Sequence, residues 1–282
     1  MRSPRDLITD NLELISLPER ALKLNQIVED SRSSINDITN VIMQDATLSA
    51  QLLQIANSPF YSLASKVDSV LMAITLIGTR QLKDMILATT VVNHFQTIPN
   101  KLIPINQFWQ HSIACATASN VIAKLLNNQN QERFFLAGLL HDIGKLMLHI
   151  AEPGLSRKVM DRAAESDNTL NQLEEIIFGF NHTDVGAECL RQWNFPGSLI
   201  EPVLQHHAPH QAERFQLETA AVHLADAIAN TLRPAISIDD DLPIDPNVWK
   251  YLGLPETLLD SLLDETRNNI EQIHEVLYLQ TA

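Results

Sequence analysis

His141, Asp142 and Lys145 stand close together inside an otherwise apolar stretch, Phe134-Phe135-Leu136-Ala137-Gly138-Leu139-Leu140-His141-Asp142-Ile143-Gly144-Lys145-Leu146-Met147-Leu148. Read as one helix, the stretch puts His141 and Lys145 on a shared face, with Asp142 turned by about 100° from His141. An imidazole, a carboxylate and an ammonium set among so many apolar side chains need partners, because unpaired buried charge is costly. Two arrangements would satisfy them. One is a His–Asp hydrogen bond inside a helical core. The other is a metal site, in which neutral imidazole and carboxylate share a hard or borderline divalent ion.

The wider chain adds to the second reading. In chain order the candidate metal ligands are His111, His141, Asp142, His182, His206, His207 and Asp226, each on or at the end of an expected helix. One buried histidine is ordinarily a satisfied core residue; several placed among apolar neighbours are harder to explain that way. Asp226, between Ala225 and Ala227, needs a cation if its helix is buried. Asp142 can bridge two metals where neutral histidines cannot, and two ions about 3.5–4 Å apart clamp a phosphoryl oxygen and lower the pKa of water. Lys145 is either a point charge for a substrate phosphate or a surface lysine laid along the helix. His94 and His274 have no neighbours at metal spacing, His149 and His210 read as exposed, and His223 is a weaker candidate for supporting Asp226. No serine sits in a nucleophile elbow and neither cysteine has a nearby histidine in sequence, so covalent catalysis has no support.

Composition narrows the classes. A chain of 282 residues with 45% apolar and 5% aromatic residues can bury a proper core of packed helices. Only 8 glycines argue against glycine-rich phosphate loops. No uninterrupted apolar run approaches the ~20 residues of a membrane span, and the N-terminus has no signal-peptide core. Cys115 and Cys189 lie far apart, which fits a reducing cytoplasm better than a disulfide framework. A formal net charge of −14 argues against broad nonspecific nucleic-acid binding.

The elements that must position these groups follow from periodicity and breaks. A leader helix over 1–17 ends at Leu17-Pro18. Amphipathic stripes then run Ala21, Leu24, Ile27, Val28 and Ile35, Ile38, Val41, Ile42. Asp45 reads as the N-cap of a third helix through Leu52, Leu53 and Ile55 that stops near Asn57-Ser58-Pro59. A fourth, with Val70, Ala73, Ile74 and Ile77, ends at Gly78, and Leu82 begins a fifth. This part, 18–104, carries no ionisable cluster. The second group, 105–235, holds all the candidate ligands. Phe108-Trp109-Gln110-His111 starts its first helix, and residues 155–178 hold one or two more, ending at Gly179. Asn181 and Asp184 form a capping box, Leu199 to Gln205 lead into His206-His207, and Thr219 to Ala229 form a strong helix. The remainder, 236–282, reads as an acidic linker (238–246) and a last helix from Leu258 to Leu277, with Leu262, Ile270, Ile273 and Leu277 apolar.

The order His111, His141-Asp142, Asp226 resembles the HD superfamily of metal-dependent phosphohydrolases, and more closely its HDOD branch, the HD-related output domain. The stretches that carry the resemblance are Asp45-Ala46-Thr47-Leu48 through Leu52-Leu53-Gln54-Ile55-Ala56-Asn57-Ser58, Ala73-Ile74 to Gly78, Phe108-Trp109-Gln110-His111-Ser112, Ala137-Gly138-Leu139-Leu140-His141-Asp142-Ile143-Gly144-Lys145, and His223-Leu224-Ala225-Asp226. They span roughly residues 18–232. The resemblance implies an all-α fold of two packed helical subdomains, the second an HD-type bundle with a metal site, working as a bacterial-type signalling output. Many HDOD members have lost metal ligands; this chain keeps all of them. In that respect it is similar to the HD-GYP phosphodiesterases of cyclic di-GMP. There His182 and His206-His207 match ligands of a second metal, and Lys145 matches a phosphate-facing lysine. The Gly-Tyr-Pro loop after the paired histidines is replaced by Ala208-Pro209-His210, and Gln107 stands where some of those enzymes carry a metal-binding glutamate.

Complete ligands favour chemistry and the missing loop favours regulation. The sequence reading therefore puts first a cytoplasmic signalling protein whose one or two divalent ions, iron or manganese, serve regulation or ligand sensing. Second stands a phosphohydrolase acting on a nucleotide or cyclic dinucleotide, with Asp142 and Lys145 as its catalytic residues. The expected partners are a signalling protein or a nucleotide-type ligand, and a second copy in a homodimer, with no membrane.

Overall fold

The computed structural model describes residues 2–30, 32–57, 61, 63, 65–96, 102–128, 130–166, 168–232 and 243–278. They are helical, with no strand among them. In chain order the helices are α1 (Pro4–Asp10), α2 (Leu12–Ile15), α3 (Glu19–Glu29), α4 (Ile35–Met43), α5 (Ala46–Ala56), α6 (Val70–Ile77), α7 (Thr79–Gln96) and α8 (Ile105–Leu125). There follow α9 (Gln131–Leu140), α10 (Ile143–Ala151), α11 (Pro153–Ala163), α12 (Leu170–Phe178) and α13 (His182–Gln192). The last are α14 (Gly197–Gln205), α15 (Gln216–Leu232), α16 (Asn247–Leu252) and α17 (Leu259–Tyr278), with single 3-10 turns at Pro209–Gln211 and Glu256–Leu258.

The contacts divide the chain into two units: Met1–Ser16 with Pro99–Asn268, and Leu17–Ile98 with Asn269–Ala282. The second unit is built from α3 to α7. Ala21, Leu24, Ile38, Ile42, Leu52, Ile55, Ala73, Ile74, Leu82 and Ile86 are buried, as their helical spacing predicts, whereas Ile35, expected in the same stripe as Ile38 and Ile42, is exposed at the start of α4. The caps are those the sequence signals. The Leu48 N–H donates to Asp45 Oδ1 at 3.1 Å, and α6 ends at Gly78 with φ of 100°. Asn57 does more than end α5. Its side chain donates to the Val67 carbonyl at 2.7 Å and accepts from the Val67 N–H at 2.8 Å, so one amide closes the intervening loop. Ser58 and Pro59 lie outside the described residues.

The first unit carries the candidate ligands. Helix α8 packs along α9 and α15, α10 lies against α13, and α14 joins α9, α13 and α15. The expected leader helix is two short helices parted at Asn11, whose side chain donates back to the Leu7 carbonyl at 2.8 Å. They belong to this unit: Leu7 and Ile8 are buried, α1 packs on α13, and Trp193 Nε1–H donates to the Ile15 carbonyl at 3.2 Å. Residues 155–178 divide between α11 and α12, and α12 ends at Gly179 in the left-handed conformation. Residues 238–242 of the expected acidic linker are outside the described residues, as are the side chains of Ile273, His274 and Leu277. Helix α16 was not anticipated from the sequence; Val248, Trp249 and Leu252 bury it on α15.

One correction bears on the site. The apolar stretch is not one helix, because α9 stops at Leu140 and α10 starts at Ile143, leaving His141 and Asp142 at a turn. The face-sharing of His141 and Lys145 expected of a continuous helix therefore does not apply. Gln131–Ala151 as a whole, at mean hydropathy 1.4 over its most apolar window, is long and apolar enough to cross a membrane, although no uninterrupted apolar run is. Of that window 83% is buried inside the protein, which is how a core segment satisfies the same composition.

Candidate metal centre

Two close approaches bring the ligand-bearing helices together. At Gly138 a Cβ would lie 2.6 Å from Ser119 Oγ and 2.8 Å from the Cys115 carbonyl, so α8 and α9 cross at a spacing only glycine allows. At Gly144 a Cβ would overlap the His182 carbonyl and lie 2.6 Å from the Gly186 nitrogen, so α10 and α13 meet backbone to backbone. The first crossing sets His111 beside His141, and the second sets Asp142 beside His182.

All seven candidate side chains converge, in two clusters. His111, His141 and Asp226 form one and Asp142, His182, His206 and His207 the other; within each, one potential ligand atom per residue lies within 4.8 Å of the rest. In the first, His111 Nε2 is 3.3 Å from His141 Nε2 and 3.1 Å from Asp226 Oδ1. In the second, His182 Nε2 is 3.0 Å from His207 Nε2. Asp142 faces both. Its Oδ2 lies 3.2 Å from His141 Nε2 and 3.8 Å from His111 Nε2, and its Oδ1 lies 3.6 Å from both His182 Nε2 and His206 Nε2.

The donor set fits metal ions. Three of the imidazoles have their far nitrogen engaged: His141 Nδ1–H donates to the Gly138 carbonyl at 2.8 Å, His206 Nδ1–H to the Val203 carbonyl at 2.8 Å, and His182 Nδ1–H to Glu174 Oε2 at 2.6 Å. Each bond fixes the tautomer that leaves Nε2 as a lone pair aimed into the cluster. Asp142 Oδ1 and His206 Nε2 are buried polar atoms with no hydrogen-bond partner in the protein, an arrangement that a shared cation would satisfy.

Electrostatics point the same way. Burial would raise the carboxyl of Asp142, but the nearby His141 and Lys145 charges outweigh it and hold the group well below the usual range. Burial acts likewise on Asp226, where hydrogen bonds from His111 and His141 prevail. Burial pushes His206 down to about 4 and His207 well below its ordinary value, so both are neutral ligands at neutral pH. His141 is the exception, pushed up despite its burial because the Asp142 charge draws a proton to it, a proton that an ion on Nε2 would have to displace.

Lys145 is not a surface lysine. It is 3% exposed, and its Nζ donates to Asp142 Oδ2 at 2.8 Å. Two supporting residues escaped or nearly escaped the sequence reading. Glu174 was not singled out, yet it is buried on α12 and holds His182. Its signal was available, since Leu170, Leu173, Glu174 and Ile177 share one helical face and the glutamate interrupts an apolar stripe. His223 supports a different residue from the one expected. Its Nδ1–H donates to the His206 carbonyl at 2.7 Å and its Nε2 accepts the Asp245 N–H at 3.0 Å, bracing the paired-histidine turn. His210 is exposed, as expected.

His149 corrects the sequence reading, because it is buried. Helix α10 is enclosed from Ile143 through His149, and burial lowers the imidazole to about 4, with Lys145 and His182 acting in the same direction against Glu174. In the unfolded chain it titrates near 6.5. The unfolded state therefore takes up this proton first, and the stability that neutral His149 contributes is complete above pH 6.5 and is lost as pH falls toward 4. The loss amounts to roughly 3 kcal/mol. Urea unfolding of chelator-treated protein at pH 7 and pH 4.5 should show a shallower acid loss in His149→Gln than in the parent; equal losses would contradict the burial.

The HDOD domain family matches residues 14–209. A Treponema pallidum protein of uncharacterised function is 24% identical over 222 residues, covering 78% of this chain and 43% of its own length. Ribonuclease Y of Fervidobacterium nodosum is 30% identical over 130 residues, covering 46% of this chain and 19% of the enzyme. The chain thus spans less than half the length of these curated relatives. An HDOD domain protein from Geobacter sulfurreducens has the same fold, with a TM-score of 0.72 at 24% identity over 98% of this chain and 100% of the other.

Proposed function

The chain belongs to the HDOD family, and from that premise we propose that it is a signalling protein whose clustered histidines and aspartates form a two-ion phosphohydrolase centre, acting on a phosphodiester of the nucleotide or cyclic-dinucleotide class. The observation that carries this reading is the position of Asp142, one carboxylate with an oxygen turned to each cluster. A structural or single-ion sensing site has no need of that bridge. Two divalent ions bound there, iron or manganese by the His-and-carboxylate donor set, would polarise the phosphoryl oxygens and lower the pKa of water. His111, His141 and Asp226 would hold one ion, His182, His206 and His207 the other, with Asp142 between them. Lys145, already directed into the site by Asp142, places a positive charge where a phosphate oxygen can replace part of that contact. The relative named Ribonuclease Y supports a phosphodiester as the bond class.

The regulatory reading keeps one observation in its favour. Where a substrate-positioning loop would follow the paired histidines, a single 3-10 turn at Pro209–Gln211 stands instead. Substrate positioning supplies much of an enzyme's rate, so turnover of cyclic di-GMP should be slow. The deciding experiment loads protein with Mn(II) or Fe(II) anaerobically and measures hydrolysis of bis(p-nitrophenyl) phosphate, a minimal diester that needs no positioning loop. Metal-dependent turnover abolished by chelation supports the centre as catalytic. Two bound ions with no turnover would favour regulation, and no bound ion would overturn both.

A further inference from the structure

The two clusters are not equivalent in charge. The first has Asp226 at 3.1 Å from His111 in addition to the shared Asp142, whereas the second is made of three histidines and Asp142 alone. An ion at the second cluster would meet only half as many ligating carboxylates. Behind that cluster, however, lies Glu174. It is 3% exposed on α12, and its Oε2 accepts two hydrogen bonds, from His182 Nδ1–H at 2.6 Å and from the His182 backbone N–H at 2.8 Å.

We propose that Glu174 is the positioning residue of the second ion site, the buried carboxylate that orients His182 and adds a second negative charge to a histidine-rich cluster that otherwise has only the shared Asp142. The inference rests on the two-ion reading above. A carboxylate on the far nitrogen of a ligating histidine fixes the tautomer, holds the ring and raises its basicity. The pair of hydrogen bonds accepted by one oxygen does this with little freedom left, since the second ties the carboxylate to the first backbone N–H of α13, where a helix start favours an anion. His182 then cannot rotate its Nε2 away from His207 and Asp142 without breaking the Nδ1–H bond to a carboxylate that the backbone N–H holds in place. Neighbouring Glu175 shows the contrast. Its Oε1 accepts from the Asn181 amide at 3.0 Å and touches no candidate ligand.

The test is a metal titration of the full chain with Mn(II), followed by calorimetry and by the electron paramagnetic resonance signal of paired ions. The parent protein should bind in two steps. In Glu174→Gln the second step should weaken by about 10–100-fold and the paired-ion signal fade at sub-saturating metal. The first step and the helical circular dichroism should be unchanged, and Glu175→Gln should match the parent. Equal weakening of both steps, or lost helicity, would overturn the proposal by showing a residue that merely supports the fold. So would an unchanged second step. A parent protein that binds no second ion would instead overturn the two-ion reading itself.

Discussion

Replacing Asp142 with alanine should remove metal from both clusters at once and reduce diester hydrolysis to the level of the chelated parent. No other candidate ligand should have this reach, because among the described residues it is the Asp142 carboxylate whose two oxygens lie within 3.8 Å of histidines from both clusters. Its Oδ2 is 3.2 Å from His141 and its Oδ1 3.6 Å from His182 and His206. The substitution also removes the 2.8 Å contact from Lys145, so the site loses its shared carboxylate and one of the bonds on its cation together. Elemental analysis should fall from two ions per chain toward none, and Asp142→Asn, which keeps the volume but not the charge, should behave nearly as badly. By comparison His207→Ala, a change confined to the second cluster, should leave the first ion in place. Two ions retained in Asp142→Ala would show that the carboxylate bridges nothing.

Gly144→Ala should be the most damaging substitution of a single hydrogen in the chain. The added methyl would overlap the His182 carbonyl and stand 2.6 Å from the Gly186 nitrogen. Both obstacles are backbone, so no rotamer change can relieve them, and α10 must lift from α13. Overpacking of this kind costs about 1–3 kcal/mol where side chains can yield, and more where they cannot. We therefore expect at least about 3 kcal/mol off the urea-unfolding free energy, together with loss of the second ion, because the displaced carbonyl belongs to His182. Gly154→Ala is the matched control. A Cβ there meets nothing within 4 Å, and alanine suits a helix better than glycine by up to about 1 kcal/mol. Equal stability of the two variants would mean that the helices are not so close.

The sequence by itself determined most of the helices and the chemical inventory of the site. Helix ends were legible at Asp45, Gly78, Gly179 and the Asn181–Asp184 box because capping is decided within four residues of chain. His111, His141, Asp142, His182, His206, His207 and Asp226 were legible as a group because polar side chains stood where the helical period demands apolar ones. What the sequence left open was every relation between elements. The helical period says which face of a helix is buried, not which helix it faces. The resemblance already set His182, His206 and His207 apart as ligands of a second ion, but how the two clusters meet, with opposite oxygens of Asp142 turned to each, depends on the α8–α9 and α10–α13 crossings at Gly138 and Gly144. So do the burial of His149, which read locally as a surface residue, and that of Lys145, which the sequence left between a phosphate contact and the surface. The break at His141–Asp142 was also hidden, since its flanks are as apolar as a continuous helix would be. Glu174 was legible as an interruption of an apolar stripe, but its role was hidden until the histidine it holds, eight residues on and in another helix, is folded back against it. Local physics chose the parts; contacts between residues as far apart as His111 and Asp226 decided how they meet, and those exist only once the helices have packed.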